Sequence, residues 1–215
     1  MSSTLTMSVP RSTSRLPAVT DRRTLALGTA TVVVAALPVA LALTDRHLAG
    51  ASTALVLSTT AGTLAVSALA VQPLLARRRR IARHQMLGCV ALGLVLVHVA
   101  ALFVESPGDA WFAISPDGPT RARMALIATV ALFGVVALGA LRTRLPISAG
   151  TWRVVHAYLA VMVIALGIAH AVLTDGALDD AGTPILAILG VVGLLGVPAA
   201  HVARTRRARG RAPSE

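Results

Sequence analysis

Six stretches of this chain are each long and apolar enough to cross a lipid bilayer. That constrains the fold more than any other feature. A spanning helix needs ~20 mostly apolar residues, and segments 24–44, 51–76, 84–104, 124–141, 152–173 and 183–202 meet that requirement. Inside lipid the backbone must satisfy its own hydrogen bonds, so such segments fold as helices. The expected fold class is therefore all-α, a polytopic membrane bundle of six transmembrane helices. Residues 24–202 form the bundle, 1–23 a disordered tail and 203–215 a basic tail. Hydrophobic residues make up 55% of the 215 and charged residues only 13%. A soluble domain carries about twice that charge. The links between spans are short, and no GxGxxG or Walker-type phosphate loop occurs, so no dinucleotide-binding domain is expected.

The charge is one-sided. The chain carries 20 Arg and no Lys against nine Asp plus Glu, a net charge of +11. In a soluble protein that balance would point to nucleic acid. Here the arginines mark topology. Arg11, Arg15, Arg22 and Arg23 precede the first span, and Arg77–Arg80 and Arg83 fall between the second and third. Arg142, Arg144 and Arg153 fall between the fourth and fifth, and Arg204, Arg206, Arg207, Arg209 and Arg211 follow the sixth. Only Arg46, Arg121 and Arg123 lie on the other side. By the positive-inside rule both termini are cytoplasmic, and an even number of spans agrees. No nucleic-acid partner is expected. A competing reading of the first span is a twin-arginine export signal on Asp21-Arg22-Arg23-Thr24-Leu25. The apolar run is long for a signal and contains Pro38. Its removal would leave the orientation of the other five spans unchanged.

Ionisable residues inside spans are rare and usually functional. His47 and His201 fall at interface depth, where surface roles suffice, and the lone Cys89 suits small-residue packing. Four other histidines form a pattern. His84 and His98 lie fourteen residues apart on the third span, His156 and His170 fourteen apart on the fifth. Fourteen residues turn a helix about 40° short of four full turns and rise about 21 Å. Each pair thus shares a face, with one histidine near each membrane surface. Both spans are odd-numbered and run parallel, so His84 pairs in depth with His156, and His98 with His170. Haem meets this pattern, because its iron takes two axial imidazoles on opposite faces of a flat ring. Two b-type haems at different depths would carry electrons across the bilayer. Gly88, Gly93 and Gly167 could give such rings room. Zinc or copper chemistry and plain structural histidines are the alternatives. Two ligands per depth are fewer than the three or four that zinc takes.

The segment Arg83-His84-Gln85-Met86-Leu87-Gly88 continuing to His98 resembles the ferric-reductase-like transmembrane domain. So does Trp152-Arg153-Val154-Val155-His156-Ala157-Tyr158 continuing to His170. The superfamily includes ferric reductases, NADPH oxidases and the haem-binding subunit of a bacterial periplasmic methionine sulfoxide reductase system. The resemblance covers about 77–173. It implies an inner haem b on His84 and His156, an outer one on His98 and His170, and outward electron flow. Members commonly space the second pair by thirteen residues. The extra residue here would rotate His170 by about 100° unless the helix is locally distorted.

Many members continue into a flavin- and NADPH-binding domain, whereas this sequence ends at Glu215. The implied electron donor is a separate cytoplasmic flavin reductase, a flavin bound at the cytoplasmic side, or a quinone. The clusters Arg77–Arg80 and Arg142–Arg153 suit haem propionates, a flavin phosphate or an acidic partner, although topology alone explains them. Arg153 is the best inner propionate contact, and Arg121 and Arg123 are the outer ones. The outer link 105–123, with Trp111 and Phe112, would form a lid where an acceptor docks. Ferric chelates, dioxygen and a periplasmic reductase subunit all suit that acceptor. The expected protein is a multi-pass electron-transfer component of the bacterial plasma membrane. The alternatives are a haem subunit for methionine sulfoxide repair and a small transporter or scaffold without cofactor.

Overall fold

Lipid-facing backbone has no water to bond with, and the chain is helical accordingly. The computed structural model describes residues 33, 36–75, 81–174, 178 and 181–209. Helix α1 is described over 36–44 and is followed by a short 3-10 turn, Arg46–Leu48. The others are α2 (Thr53–Leu75), α3 (Ile81–Glu105), α4 (Pro107–Ile114), α5 (Thr120–Ala140), α6 (Ala149–Val172) and α7 (Gly182–Arg209). No strand occurs among the described residues.

Four of these helices, α2, α3, α5 and α6, are long and apolar enough to cross a membrane. They correspond to spans two to five of the expected six. About half of the first expected span (24–32, 34 and 35) lies outside the described residues, as do the whole of the tail 1–23, Arg77–Arg80 and 210–215. The sixth is helical, but its apolar part, Gly182–Pro198, is shorter than the other four. The protein is thus an integral membrane protein built from apolar helices. Large side chains such as Leu96, Val104, Ile127, Val130, Phe133, Val154 and Tyr158 point outward. In lipid that exposure costs nothing, whereas in water it would drive aggregation.

Helix α2 is the hub. It packs most extensively on α3 and also on α7 and α6, while α5 packs on α6. Its buried face is made of small residues, Ser58, Ala61, Ala65 and Ala68, at helical spacing. Small side chains let backbones approach, which is how helices associate in lipid. Gly193 of α7 makes the closest such approach. A Cβ there would lie 2.7 Å from the Ala70 carbonyl oxygen and 3.1 Å from its Cα. Backbone atoms cannot swing aside, so Gly193→Ala is expected to destabilise the protein by about 1–3 kcal/mol. Thermal unfolding in detergent measures this.

Short links fix the pairing of α5 with α6. The start of α6 is capped by Ser148, whose hydroxyl accepts from the Thr151 backbone N–H at 3.0 Å. At the opposite end of the bundle, Ser52 hydrogen-bonds to Glu105 and ties the start of α2 to the end of α3. Midway along the helices, Leu69, Ala91, Leu132, Val163 and Ile164 form a dry core. Helices α3 and α6 are not among the closely packed pairs. The space between them is the setting of the histidines.

Candidate functional site

Four imidazoles meet in two pairs across the α3–α6 gap. The ring centroids of His84 and His156 are 6.1 Å apart, with planes inclined at 57°. Those of His98 and His170 are 6.3 Å apart, inclined at 67°. The two helices are therefore parallel and in register, as the fourteen-residue spacings require. The 100° rotation expected for His170 does not separate the outer pair: α6 is an unbroken α-helix and the rings face each other as closely as the inner ones. Equal spacing on both helices keeps both pairs in phase.

Each pair opens onto a cavity. The inner one, about 460 Å³, is bordered by His84 and His156 with Gln72, Gly88, Trp152 and Arg153. The outer one, about 580 Å³, is bordered by His98 and His170 with Ser58, Gly62, Thr129 and Gly167. Both fall within the ~300–1,000 Å³ of cofactor sites. Leu69, Leu132 and Val163 border both cavities and form an apolar layer between them. Helix α4 borders the outer cavity with Ala110, Ala113 and Ile114. Trp111 and Phe112 lie exposed on the same helix, and Trp111 meets Phe103 edge to face at 5.3 Å. The outer link thus contains a short helix beside the outer cavity.

Three of the four rings have a backbone carbonyl at Nδ1. His84 Nδ1 lies 3.2 Å from the Gln72 oxygen, His98 Nδ1 2.9 Å from that of Ser58, and His170 Nδ1 3.0 Å from that of Arg121. A carbonyl only accepts, so Nδ1 donates in each of these bonds, which in a neutral imidazole leaves the lone pair on the far nitrogen, Nε2. This is the tautomer of a metal-ligating imidazole with its outer-shell partner. Gln72 lies in the last described turn of α2. It also returns a bond, its Nε2 donating to the His84 carbonyl at 3.1 Å. Ser58 does the same for His98, its hydroxyl donating to the His98 carbonyl at 3.2 Å. On the fourth ring, the Trp152 indole stacks on His156 at 4.8 Å and 17°.

The donor set fits haem iron. Metal–imidazole bonds of about 2.0 Å on each side would put axial ring centres about 6.3 Å apart, and the pairs measure 6.1 and 6.3 Å. No group of three or more His, Cys, Asp or Glu that could hold a metal comes together among the described residues, so each depth offers two nitrogens and no tetrahedral set.

Other expected residues fare unevenly. Arg153 borders the inner cavity and is exposed. Arg121 contributes its carbonyl to His170, and Arg123 bonds to Pro116 and Thr120 of its own link. Both arginines lie in the first turn of α5 rather than in a loop. Gly88 borders the inner cavity and Gly167 the outer, whereas Gly93 borders neither. Cys89 borders the inner cavity. The side chains of His47 and His201 lie outside the described residues.

Sequence reasoning missed Gln72, Ser58 and Gly62. The signal was present, because Ser58 and Gln72 are also fourteen residues apart. On an antiparallel neighbour, that spacing meets both histidines of α3.

No protein-family profile, curated protein or solved structure matches this chain.

Proposed function

We propose that this protein is a transmembrane b-type cytochrome of the ferric-reductase-like kind. It would have six spans and cytoplasmic termini, and pass electrons from a cytoplasmic donor to an outer acceptor. The observation that supports this best is the two imidazole pairs, 6.1 and 6.3 Å apart, at the two ends of parallel helices. His84 and His156 would hold the inner haem, and His98 and His170 the outer one. The haems supply a one-electron ferric–ferrous couple. The chain's own residues bind, orient and insulate. The carbonyls of Gln72, Ser58 and Arg121 fix three imidazole tautomers. Leu69, Leu132 and Val163 keep water out between the centres. Two histidines at each depth would hold one iron between them and would leave it no place for a further ligand, which suits electron transfer rather than oxygen binding.

The end bearing Arg83, Arg142, Arg144 and Arg153 is taken as cytoplasmic. A reduced flavin on a partner protein, or a quinol, suits the donor there. A ferric chelate, dioxygen or a periplasmic reductase subunit suits the acceptor beyond α4.

An absorption spectrum of the purified protein, oxidised and then dithionite-reduced, tests this. The expected result is reduced b-type bands and two haems per chain. A protein expressed with ample haem that shows no such bands would sink the cytochrome assignment.

A further inference from the structure

The two histidine pairs differ in their surroundings. Trp152 lies one helical turn before His156 on α6, and its indole lies flat against the imidazole, 4.8 Å away and only 17° from parallel. The indole is pinned by its Nε1, which donates to the Leu138 carbonyl of α5 at 3.0 Å. The Arg142 guanidinium sits over the same indole, 5.4 Å from its centroid. Arg142, Trp152 and His156 all border the inner cavity. A cation, an indole and an imidazole are thus linked in succession at one end of the bundle. Among the described residues, the rings recorded against His98 and His170 are only each other.

We propose that Arg142 and Trp152 are positioning residues for the inner centre. The indole fixes the plane of the His156 imidazole, and the guanidinium raises the reduction potential of the iron it holds. This rests on the bis-histidine haem reading. A nearby cation favours the ferrous state, which carries one positive charge fewer than the ferric. As a general scale, a unit charge about 12 Å from a redox centre, at an effective dielectric constant of about 20, shifts a one-electron equilibrium about tenfold. The cation–π contact holds the guanidinium at that place instead of leaving it to water. The electron itself comes from a reductant such as a reduced flavin and converts ferric to ferrous iron. No bond is made or broken at Arg142 or Trp152. The arrangement makes the inner centre the readier electron acceptor, at the end where a cytoplasmic donor would dock.

Redox titration of the full chain in lipid nanodiscs, with absorbance for potentials and electron paramagnetic resonance for the ferric centres, tests the proposal. The inner centre is identified as the one absent from His156→Ala. Arg142→Gln is expected to lower its potential by the equivalent of a tenfold change in the ferric–ferrous ratio, about 59 mV for one electron. The outer potential stays in place. Arg144→Gln removes the same charge from the same link but off the stack, and is expected to move the inner potential less than half as far. Trp152→Ala frees the imidazole plane and is expected to change the inner ferric resonance alone. Trp152→Phe keeps a stacking ring and is expected to preserve that resonance. If the alanine variant fails to fold, Trp152→Leu, which keeps bulk without a stacking ring, takes its place with the same expected change.

The proposal is overturned if Arg142→Gln leaves both potentials unchanged or shifts both equally. It is also overturned if Arg144→Gln acts as strongly, or if the inner resonance ignores the loss of the indole. Two haems in the wild-type protein with any of these results would leave the cytochrome reading standing without this refinement. A wild-type protein without b-type bands would remove both.

Discussion

His156→Ala is expected to leave a protein that holds one haem instead of two, with reduced b-type absorbance near half that of the wild type. The His156 ring is one of the two imidazoles that meet at its depth, and no group of three or more His, Cys, Asp or Glu that could hold a metal comes together among the described residues. The outer pair should survive, because Leu69, Leu132 and Val163 separate the two cavities and none of these depends on His156 for its place in the core. His98→Ala is expected to give the complementary protein, retaining the inner haem alone. The double variant His84→Ala with His98→Ala should bind none. A cofactor that binds only the native state stabilises it by mass action, so each lost haem should also lower the unfolding temperature. Haem quantified per chain, beside a thermal melt of each variant, measures both effects. Two haems retained in His156→Ala would remove that residue from the axial set.

The second large effect is expected at a residue with no chemistry of its own. Gly62→Ala should cost the outer haem at least tenfold in affinity and leave the inner one bound. A Cβ at position 62 would lie 2.9 Å from His98 Nδ1 and 3.2 Å from Cε1. The ring would have to shift away from α2. That shift would break its bond to the Ser58 carbonyl and spoil its facing of His170. Loss of an outer-shell partner costs ~10–100-fold in metal affinity at comparable sites. Gly93→Ala is the matched comparison. Nothing lies within 4 Å of a Cβ there, and replacing a mid-helix glycine should stabilise α3 by about 0.5–1 kcal/mol. Haem titration of the two variants, followed in the reduced bands, separates a packing requirement at position 62 from a general intolerance of substitution.

Much of the helical organisation was legible from local properties. Apolar length foretold α2, α3, α5 and α6 to within a few residues at either end. The boundaries that moved did so for local reasons. Helix α5 starts at Thr120, so that Arg121 and Arg123 belong to its first turn, and α6 starts at the Ser148 cap rather than at Trp152. A polar residue at a helix terminus reads as loop in a hydrophobicity argument, although the backbone is already helical there. The depth pairing of the histidines was legible for a different reason. A helix converts sequence spacing directly into rise and rotation, and equal spacings on two parallel helices stay in phase.

The surroundings of the histidines were less legible. Gln72 and Ser58 share the fourteen-residue spacing, but only the packing of α2 against α3 gives that spacing meaning. Arg121 was expected to act through its charge, yet it holds His170 through a backbone carbonyl, which its side-chain identity does not encode. Gly62 looked like one more small residue on a small-residue helix, because a close approach involves a second chain segment. Trp152 was visible as part of a motif, but its stacking needed the positions of Leu138 on the neighbouring helix and of Arg142 in the link that follows it.

The sequence by itself determined that the chain is a set of apolar helices and that four histidines fall at two depths. Both follow from period and length, which are properties of one helix at a time. Only the tertiary structure decided that α3 and α6 stand apart with a cavity at each depth, and that the rings face each other at the separation two axial ligands require. It also decided which carbonyls fix their tautomers. In a bilayer, the helices' side chains and the lipid are alike apolar, so burial alone does not choose which helices touch. Close packing of small residues on α2 makes that choice, and the space left between α3 and α6 is its consequence.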